Sequence, residues 1–175
     1  MSKFTVIRDT REKKGHGWWF DDNAYCEGTI VQKVDIGDYT IQDMEHLLCI
    51  ERKESTAELA KNCGEKRFHK ELERMTSFRY PFLLLEFGWH EIESYPRGSN
   101  IPTSKWKSLR IKGKYIMRVI STARLQYGIH CTFPTIMTYI TTISTTFITN
   151  SMVLLRHTPF SFSNLSTFHQ RPYLH

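Results

Sequence analysis

The sequence predicts an α/β fold in which a central mixed β-sheet is flanked by α-helices. Two continuous apolar runs, residues 47–50 and 82–85, are typical of buried central strands. Between them, residues 55–78 carry apolar side chains at spacings near three and four, with a break at Gly64, which is typical of helix. Strands separated by single helices imply a mixed sheet with helices packed on it.

The first half of the chain contains three predicted strands. Residues 4–8 form a short β-branched stretch that ends in a polar turn. Residues 28–39 alternate in polarity and turn at Gly37, which predicts a strand approaching a hairpin. The apolar run at 47–50 is followed at once by the charged residues 51–53. A buried central strand whose last residues emerge into a polar site has this appearance.

The second half alternates between the two kinds of element. We expect Pro81 to end the preceding helical pattern, and the stretch 88–104, rich in Gly, Pro and Ser, predicts a loop. The apolar residues within 105–126 predict a helix that is otherwise rich in basic residues, although Gly113 lies inside it. A short strand at 129–133 then completes the sheet.

The length and charge of the chain limit its class. A chain of 175 residues is one ordinary domain, and 40% hydrophobic with 24% charged residues is a globular composition. Positions 1–93 hold all 18 acidic residues against 14 Lys and Arg, a balance of −4, whereas positions 94–175 hold 10 basic residues and no acid, a balance of +10. This asymmetry favours nucleic acid or another polyanionic surface over a small acidic metabolite.

The cysteine spacing and the N-terminal residues favour an intracellular protein. The four cysteines lie far apart, without the short spacing of a zinc site or the density of a disulfide framework. We therefore expect reduced thiols. Charged residues occur early in residues 1–14, and no apolar segment of a secretory signal follows them. We expect a cytoplasmic or nuclear location.

Acidic residues near a lysine predict metal-dependent chemistry at the end of the central strand. Mg²⁺ prefers oxygen ligands and keeps several waters, so Asp38 and Glu51 are the candidate ligands. Strand alternation places Glu51 and Lys53 on one face and Arg52 on the other. Lys53 would orient an attacking water or stabilise developing negative charge. Alone, the same spacing is also that of a surface salt bridge on a solvated strand.

A longer series of motifs resembles the nuclease domain of the XPF-type (ERCC4 domain) structure-selective endonucleases. The series runs from Asp9-Thr-Arg-Glu12 through Gly37-Asp-Tyr39 to Glu51-Arg-Lys53, and a helix with Arg67-Phe and Glu71-Leu-Glu-Arg74 follows. The resemblance implies a restriction-endonuclease-like core over residues 1–134. It also implies an endonuclease that requires Mg²⁺ or Mn²⁺ and hydrolyses phosphodiester bonds in branched, flapped or partly single-stranded DNA. DNA repair or recombination would be the setting.

The resemblance also assigns roles to individual positions. Asp38 and Glu51 would hold metal, with Asp9 as a further metal contact at the edge of the site. The catalytic set would be completed by residues of two motifs: Arg11, Glu12, Arg52 and Lys53. A homodimer or heterodimer through the nuclease domain is a further expectation. The alternative from another class is a non-catalytic DNA-binding or scaffold protein with the same fold, although such a protein has no chemical reason to keep Asp38 with Glu51, Arg52 and Lys53.

Three features depart from the family pattern. The family acid four residues after the lysine is Ala57 here, and Glu58 stands one place later. No helix-hairpin-helix module is visible after the core in this sequence, and the compact form resembles stand-alone phage or viral members more than the long helicase-linked ones. The third departure is the Thr- and Ser-rich segment 135–175, which lacks the charged closing helix of the family.

Two groups of residues are candidate DNA contacts. Trp18 and its neighbour Trp19 are candidates for stacking on unpaired bases, with core packing equally expected for one of them. A basic run supplies candidate phosphate contacts, although such a run is also typical of a solvated helix face. Its members are Lys105, Lys107, Arg110, Lys112, Lys114 and Arg118, with Arg124 beyond them.

The segment 135–175 predicts one amphipathic helix followed by a disordered tail. Ile136, Ile140, Ile143 and Phe147 follow helical spacing. The uncharged stretch 136–155 is long enough to span a membrane. Its six Thr, two Ser and one Asn make it weakly apolar, so we expect no membrane insertion.

Overall fold

A mixed sheet of six strands forms the centre of the structure, a computed structural model that describes residues 3–13, 15–24 and 26–133. All described residues lie within one compact unit, Met1–Thr138. The strands are β1 Phe4–Arg8, β2 Cys26–Val31, β3 Tyr39–Ile41, β4 Leu48–Lys53, β5 Tyr80–Leu85 and β6 His130–Thr132. The helices are α1 Thr56–Cys63, α2 Lys66–Met75, α3 Trp89–Ser94 and α4 Gly113–Leu125, with a 3₁₀ helix at Thr103–Ser108. The predicted α/β class with a mixed sheet and flanking helices is confirmed.

The strands lie in the order β2-β1-β3-β4-β5-β6. β1 pairs in parallel with β2, and β3 runs antiparallel to both β1 and β4. β4, β5 and β6 are parallel to one another. The ends of β1, β4 and β5 and the start of β3 therefore meet at the same edge of the sheet.

The predicted hairpin at Gly37 is wrong. Strand β2 ends at Val31, and β1 lies between β2 and β3, so these two strands never pair. The alternating pattern of residues 28–39 covers one strand, a crossing segment and the start of another. The turn at Gly37 instead delivers the chain to β3, which pairs with Arg8 at Tyr39 and with Ile50 of β4.

The hydrophobic core lies between the helices and one face of the sheet. Cys49 of β4 and Leu83 and Leu85 of β5 face the helices, as alternation in β-strands requires. The helical contribution is a set of fully buried side chains that includes Leu59, Phe68, Leu72, Met75, Ile92, Ile116 and Ile120. Glu51 and Lys53 follow Cys49 at intervals of two, so the core places both side chains on the helix-bearing face.

Three local expectations require correction. The helix before Pro81 ends at Met75, and Pro81 lies inside β5. Tyr80 N donates to Leu47 O on the β4 side, so the nitrogen of Pro81 faces β6, whose pairing begins only at Phe82. The predicted loop 88–104 contains α3, and the predicted helix 105–126 is a 3₁₀ helix followed by α4.

The structure describes the four cysteines, which we expect to be reduced, but it does not include the segment considered as a membrane span. All four cysteines are free, and Cys26, Cys49 and Cys63 are buried. Within residues 3–133, apart from 14 and 25, the structure has no helix of the length and apolar character needed to cross a membrane. The predicted segment 135–175, including the uncharged stretch 136–155, lies outside the described residues.

Candidate active site

The motifs meet at the sheet edge where β1 and β4 end and β3 begins. Asp9 N donates to Asp38 O at 2.8 Å, and Asp38 N donates to Ile50 O at 2.7 Å. The Asp38 carboxylate in turn accepts a hydrogen bond from Arg52 N at 2.8 Å. Residues that are up to 43 positions apart in sequence thus surround one end of β4.

Gly37 allows the chain to approach β4 closely enough to deliver Asp38. Its φ of +85° lies in the left-handed region, and a Cβ atom there would lie 2.7 Å from Ile50 O. A side chain at this position would therefore be strained and would collide with the backbone of the central strand. The geometry of this turn therefore requires glycine at position 37.

Glu51 and Lys53 lie on the same face, as strand alternation predicts. The Lys53 ammonium contacts Glu51 Oε1 directly and lies 3.7 Å from Glu58 Oε1. It also lies 5.4 Å from the centre of the Phe68 ring on α2. Both Glu51 and Lys53 are buried beneath the helices. This site therefore contains a buried carboxyl–ammonium pair at the end of a central strand.

Burial is the main cause of raised pKa values at both carboxyl groups. Burial raises the pKa of Asp38 to about 6, against the opposing effect of its hydrogen bond from Arg52 N. Burial, followed by the charge of Asp38, raises the pKa of Glu51 to about 8. Burial disfavours the Lys53 ammonium, but the charge and hydrogen bond of Glu51, together with the charges of Asp38 and Glu58, outweigh this effect and raise the pKa of Lys53. Lys53 therefore keeps its charge, while both carboxyls hold their protons to a higher pH than exposed carboxyls do.

Both oxygens of the Asp9 carboxylate accept hydrogen bonds from the protein itself. Its Oδ1 accepts from Arg11 N at 2.7 Å and Arg11 Nε at 2.6 Å. Its Oδ2 accepts from Val34 N at 2.6 Å and Arg11 Nη2 at 3.1 Å. A carboxylate offers about four lone-pair positions, and all four are used. Burial opposes the charge, but the hydrogen bonds from Arg11 and from Val34 N, with the charge of Arg11, together outweigh it and lower the pKa of Asp9. Asp9 and Arg11 thus fix the loop after β1.

Arg52 and Glu12 lie on the opposite face of the sheet from Glu51 and Lys53. Arg52 Nη1 donates to Glu12 Oε1 at 3.1 Å, and the guanidinium also engages Glu86. Trp18 covers this pair: its ring lies 6.0 Å from Arg52 Cζ and stacks on Tyr39 at 5.7 Å. Trp18 is therefore half-buried in a packed cluster, whereas Trp19 is 55% exposed.

Glu58 follows Ala57, which stands where the family has an acidic residue, and its carboxylate lies near Lys53. Ala57 packs against the core. Glu58 N donates to Ser55 Oγ at 3.2 Å, and Glu58 Oε2 accepts from Glu54 N at 2.9 Å. This exchange caps α1. It leaves Glu58 Oε1 directed to the Lys53 ammonium at 3.7 Å.

The basic run divides between two elements. Lys105 and Lys107 lie in the 3₁₀ helix, Arg110 and Lys112 precede α4, and the remaining members lie on α4. All seven cations are exposed, and within the described part of the chain none of them forms an ion pair. α4 connects β5 with its parallel neighbour β6, so its N-terminus lies toward the site edge and Arg124 lies at its far end.

Two residues of the site were missed by the sequence reasoning. Glu86 follows the apolar run of β5 just as Glu51 follows that of β4, so the same strand-end signal could have found it. Glu71 on α2 contributes to the raised pKa values of both Asp38 and Glu51, after burial and closer charges. Glu71 belongs to the Glu71-Leu-Glu-Arg74 motif of the resemblance, but that motif assigned it no role at the site.

The donor atoms present fit a cation held by few protein ligands. Within the described residues, no group of three or more His, Cys, Asp or Glu side chains is placed to hold a metal ion. Asp38 and Glu51 nevertheless provide two carboxyls at one sheet edge, and burial and neighbouring acidic charge raise the pKa of each. Mg²⁺ commonly binds through one or two carboxylates, with waters and substrate phosphate as its other ligands.

Comparisons with known proteins identify the family. The chain is similar to the solved structure of XPF from Aeropyrum pernix, with a TM-score of 0.49 and 16% sequence identity, over 74% of this chain and 55% of that one. It is also similar to the structure of XPF from Aeropyrum pernix in complex with DNA, with a TM-score of 0.49 and 16% sequence identity, over 75% of this chain and 56% of that one. The chain thus spans about half the length of these structures. No match was found among curated proteins. The family model of the ERCC4 domain matches residues 8–133, which is well over half of the sequence and includes every motif at the site edge, so the chain belongs to the ERCC4 domain family.

Proposed function

We propose that this protein is a divalent-metal-dependent DNA endonuclease that acts on branched, flapped or partly single-stranded DNA. Membership in the ERCC4 domain family indicates a DNA nuclease or DNA-binding domain. The observation that favours cleavage is the juxtaposition of the Asp38 and Glu51 carboxyls with the Lys53 ammonium at one sheet edge.

The chemistry follows from these three groups. Asp38 and Glu51 would hold Mg²⁺ or Mn²⁺, an ion that polarises a phosphate and lowers the pKa of an attacking water. To act as ligands, both carboxyls must release the proton that burial favours, so rising pH promotes their engagement. Lys53 provides a fixed positive charge that orients the water and stabilises the negative charge that develops on the phosphate.

DNA would approach this edge across the exposed basic residues. Lys112 and Lys114 lie at the N-terminal end of α4, toward the site, and have no acidic partner among the described residues. Trp19 is the exposed aromatic side chain of the loop before β2 and would stack on an unpaired base. Trp18 would support this loop through its contacts with Tyr39 and Arg52.

The proposal is tested by cleavage of flap, fork and duplex DNA with and without Mg²⁺. Asp38→Ala and Glu51→Ala should each abolish cleavage while DNA binding is retained. Metal-dependent cleavage by both variants would exclude these carboxyls as the site. If the unaltered protein binds branched DNA but cleaves none with either metal, the non-catalytic DNA-binding function replaces the nuclease.

A further inference from the structure

We propose that Glu86 is a positioning residue that holds the end of β4 and thereby fixes Lys53 beside Glu51 on the opposite face. This inference rests on the proposed function where it concerns cleavage. Its structural part can be measured independently of any activity.

The end of β4 has little backbone support on one side. Its pairing with β3 is at Tyr39 and Ile50, and beyond that point the Asp38 carboxylate accepts Arg52 N. On the other side, β5 pairs with β4 as far as Lys53 and Leu85. The strand end that carries Glu51 and Lys53 is therefore held mainly from the β5 side, where the first residue after β5 adds to the ladder.

Glu86 is that residue, and it holds β4 in two ways. Its N–H donates to Lys53 O at 2.9 Å, which extends the ladder by one bond. Its carboxylate accepts from Arg52 Nε at 2.8 Å and from Arg52 Nη2 at 2.8 Å. This two-point geometry fixes the orientation of a guanidinium much more strictly than a single contact does.

The Arg52 side chain is held at all of its nitrogens. Glu12 accepts from the remaining nitrogen, Nη1, and the Trp18 ring lies over the group. Because Arg52 stands between Glu51 and Lys53, anchoring it on one face sets the direction in which its two neighbours project on the other. Glu86 thus acts on Lys53 through the strand, without touching the reacting groups.

Glu54 provides a matched control. It also reaches Arg52, but its oxygen lies 3.6 Å from Nη2 and its side chain is 51% exposed, against 19% for Glu86. A single long contact in solvent contributes little to orientation. Glu54→Gln should therefore resemble the unaltered protein, whereas Glu86→Gln should not.

The first measurement is the NMR signal of the Lys53 ammonium in ¹⁵N-labelled protein without metal. Contact with the buried Glu51 carboxyl should protect these protons from exchange in the unaltered protein and in Glu54→Gln. In Glu86→Gln, the signal should be lost while the backbone amide spectrum stays dispersed. A protected Lys53 signal in Glu86→Gln would overturn the proposal, whether or not the protein cleaves DNA.

The second measurement is the single-turnover cleavage rate at saturating Mg²⁺. Glu86→Gln should lower it by about 10- to 100-fold, as removal of outer-shell partners of metal ligands does, with unchanged affinity for DNA. Arg52→Lys should lower the cleavage rate by a similar factor. The double variant Glu86→Gln, Arg52→Lys should be no slower than either single variant, because the two residues act as a unit. Multiplied losses in the double variant would overturn the proposal. An inactive unaltered protein would refute the nuclease function alone, and the Lys53 signal would still decide the role of Glu86.

Discussion

Asp38 and Glu51 give the fold a defined dependence on pH. Burial raises both pKa values, and in Glu51 the charge of Asp38 adds to this effect. A carboxyl whose pKa is higher in the folded state stabilises the fold below its unfolded pKa and loses that contribution as pH rises through its folded value. For Glu51, the window runs from its ordinary 4.5 to about 8. The metal-free protein should therefore become less stable across this range.

We predict that Glu51→Gln stabilises the metal-free protein at high pH. At pH 9, the variant avoids a buried negative charge, so its midpoint of thermal unfolding should exceed that of the unaltered protein by at least about 2 °C, the shift that 1 kcal/mol produces in a chain of this size. At pH 4, Glu51 is protonated and the two midpoints should agree. Calorimetry at both pH values with a chelator tests this, and a difference independent of pH would contradict it.

The glycine before Asp38 is a second residue with a measurable role. Gly37→Ala combines a left-handed φ with a collision against Ile50 O, and the strain alone should cost about 1–3 kcal/mol of unfolding free energy. Gly98→Ala is the control, because Gly98 has a similar φ of +78° and no atom within 4 Å of its Cβ position. Urea unfolding should show a clearly larger loss at Gly37. Equal losses of unfolding free energy in the two variants would mean that the loop at Gly37 moves to accommodate the added Cβ atom. Its close contact with β4 would then contribute nothing to stability.

At the scale of elements, α3 and α4 pack so closely that a glycine is required between them. A Cβ atom on Gly113, the first residue of α4, would lie 2.3 Å from Ile92 O and 2.9 Å from Glu93 O. Helix α3 therefore determines where α4 begins. The sequence suggested only that Gly113 weakens a helix, since the partner that approaches it lies in a stretch rich in turn residues.

We predict that Gly113→Ala forces these two helices apart. Overpacking of this kind should lower the free energy of unfolding by about 1–3 kcal/mol. Gly64→Ala after α1 is a suitable control, because Gly64 has an ordinary φ and the nearest atom to its Cβ position is Lys61 O at an acceptable 3.4 Å. Urea unfolding of both variants measures the difference. An unchanged Gly113→Ala protein would show that α3 moves freely.

Local sequence signals located some elements and not others for physical reasons. The strand ends at Glu51 and Lys53 could be predicted because alternation is a local property of the backbone. The pairing of β1 with both β2 and β3 could not, since its partner residues lie more than twenty positions away in β2 and more than thirty in β3. The Arg52 contacts with Glu12 and Glu86 likewise arise only once three strand ends are brought together.

At the scale of the whole molecule, the division of charge assigns binding and chemistry to different parts of the chain. The acidic side chains of the site lie in positions 1–93, and the cations at positions 105–124, which form no ion pair with any residue the structure describes, lie beyond them. Contacts of these cations with phosphate would release counterions from DNA, so affinity should fall steeply with salt.

We predict that the double variant Lys112→Gln, Lys114→Gln weakens DNA binding and reduces the slope of log affinity against log salt by about 2, one unit for each lost phosphate contact. Arg124→Gln, at the far end of α4, should change the slope less. The measurement is fluorescence anisotropy of DNA binding between about 50 and 200 mM salt. Over this range, about six phosphate contacts would change the affinity by about 10³-fold. A flat salt dependence would exclude phosphate contact through this surface.

The position of β1 has a practical consequence for engineering the chain. β2 joins the rest of the sheet only through its pairing with β1, among the strands that the structure describes. Although β1 comes first among the strands described, both of its edges are occupied. A deletion that removed residues 4–8 would therefore cut the sheet in two instead of trimming its margin. It would also detach the Asp9–Arg11 loop from Asp38, so affinity tags and fusions at this terminus should be joined through a spacer that leaves Phe4 onward intact.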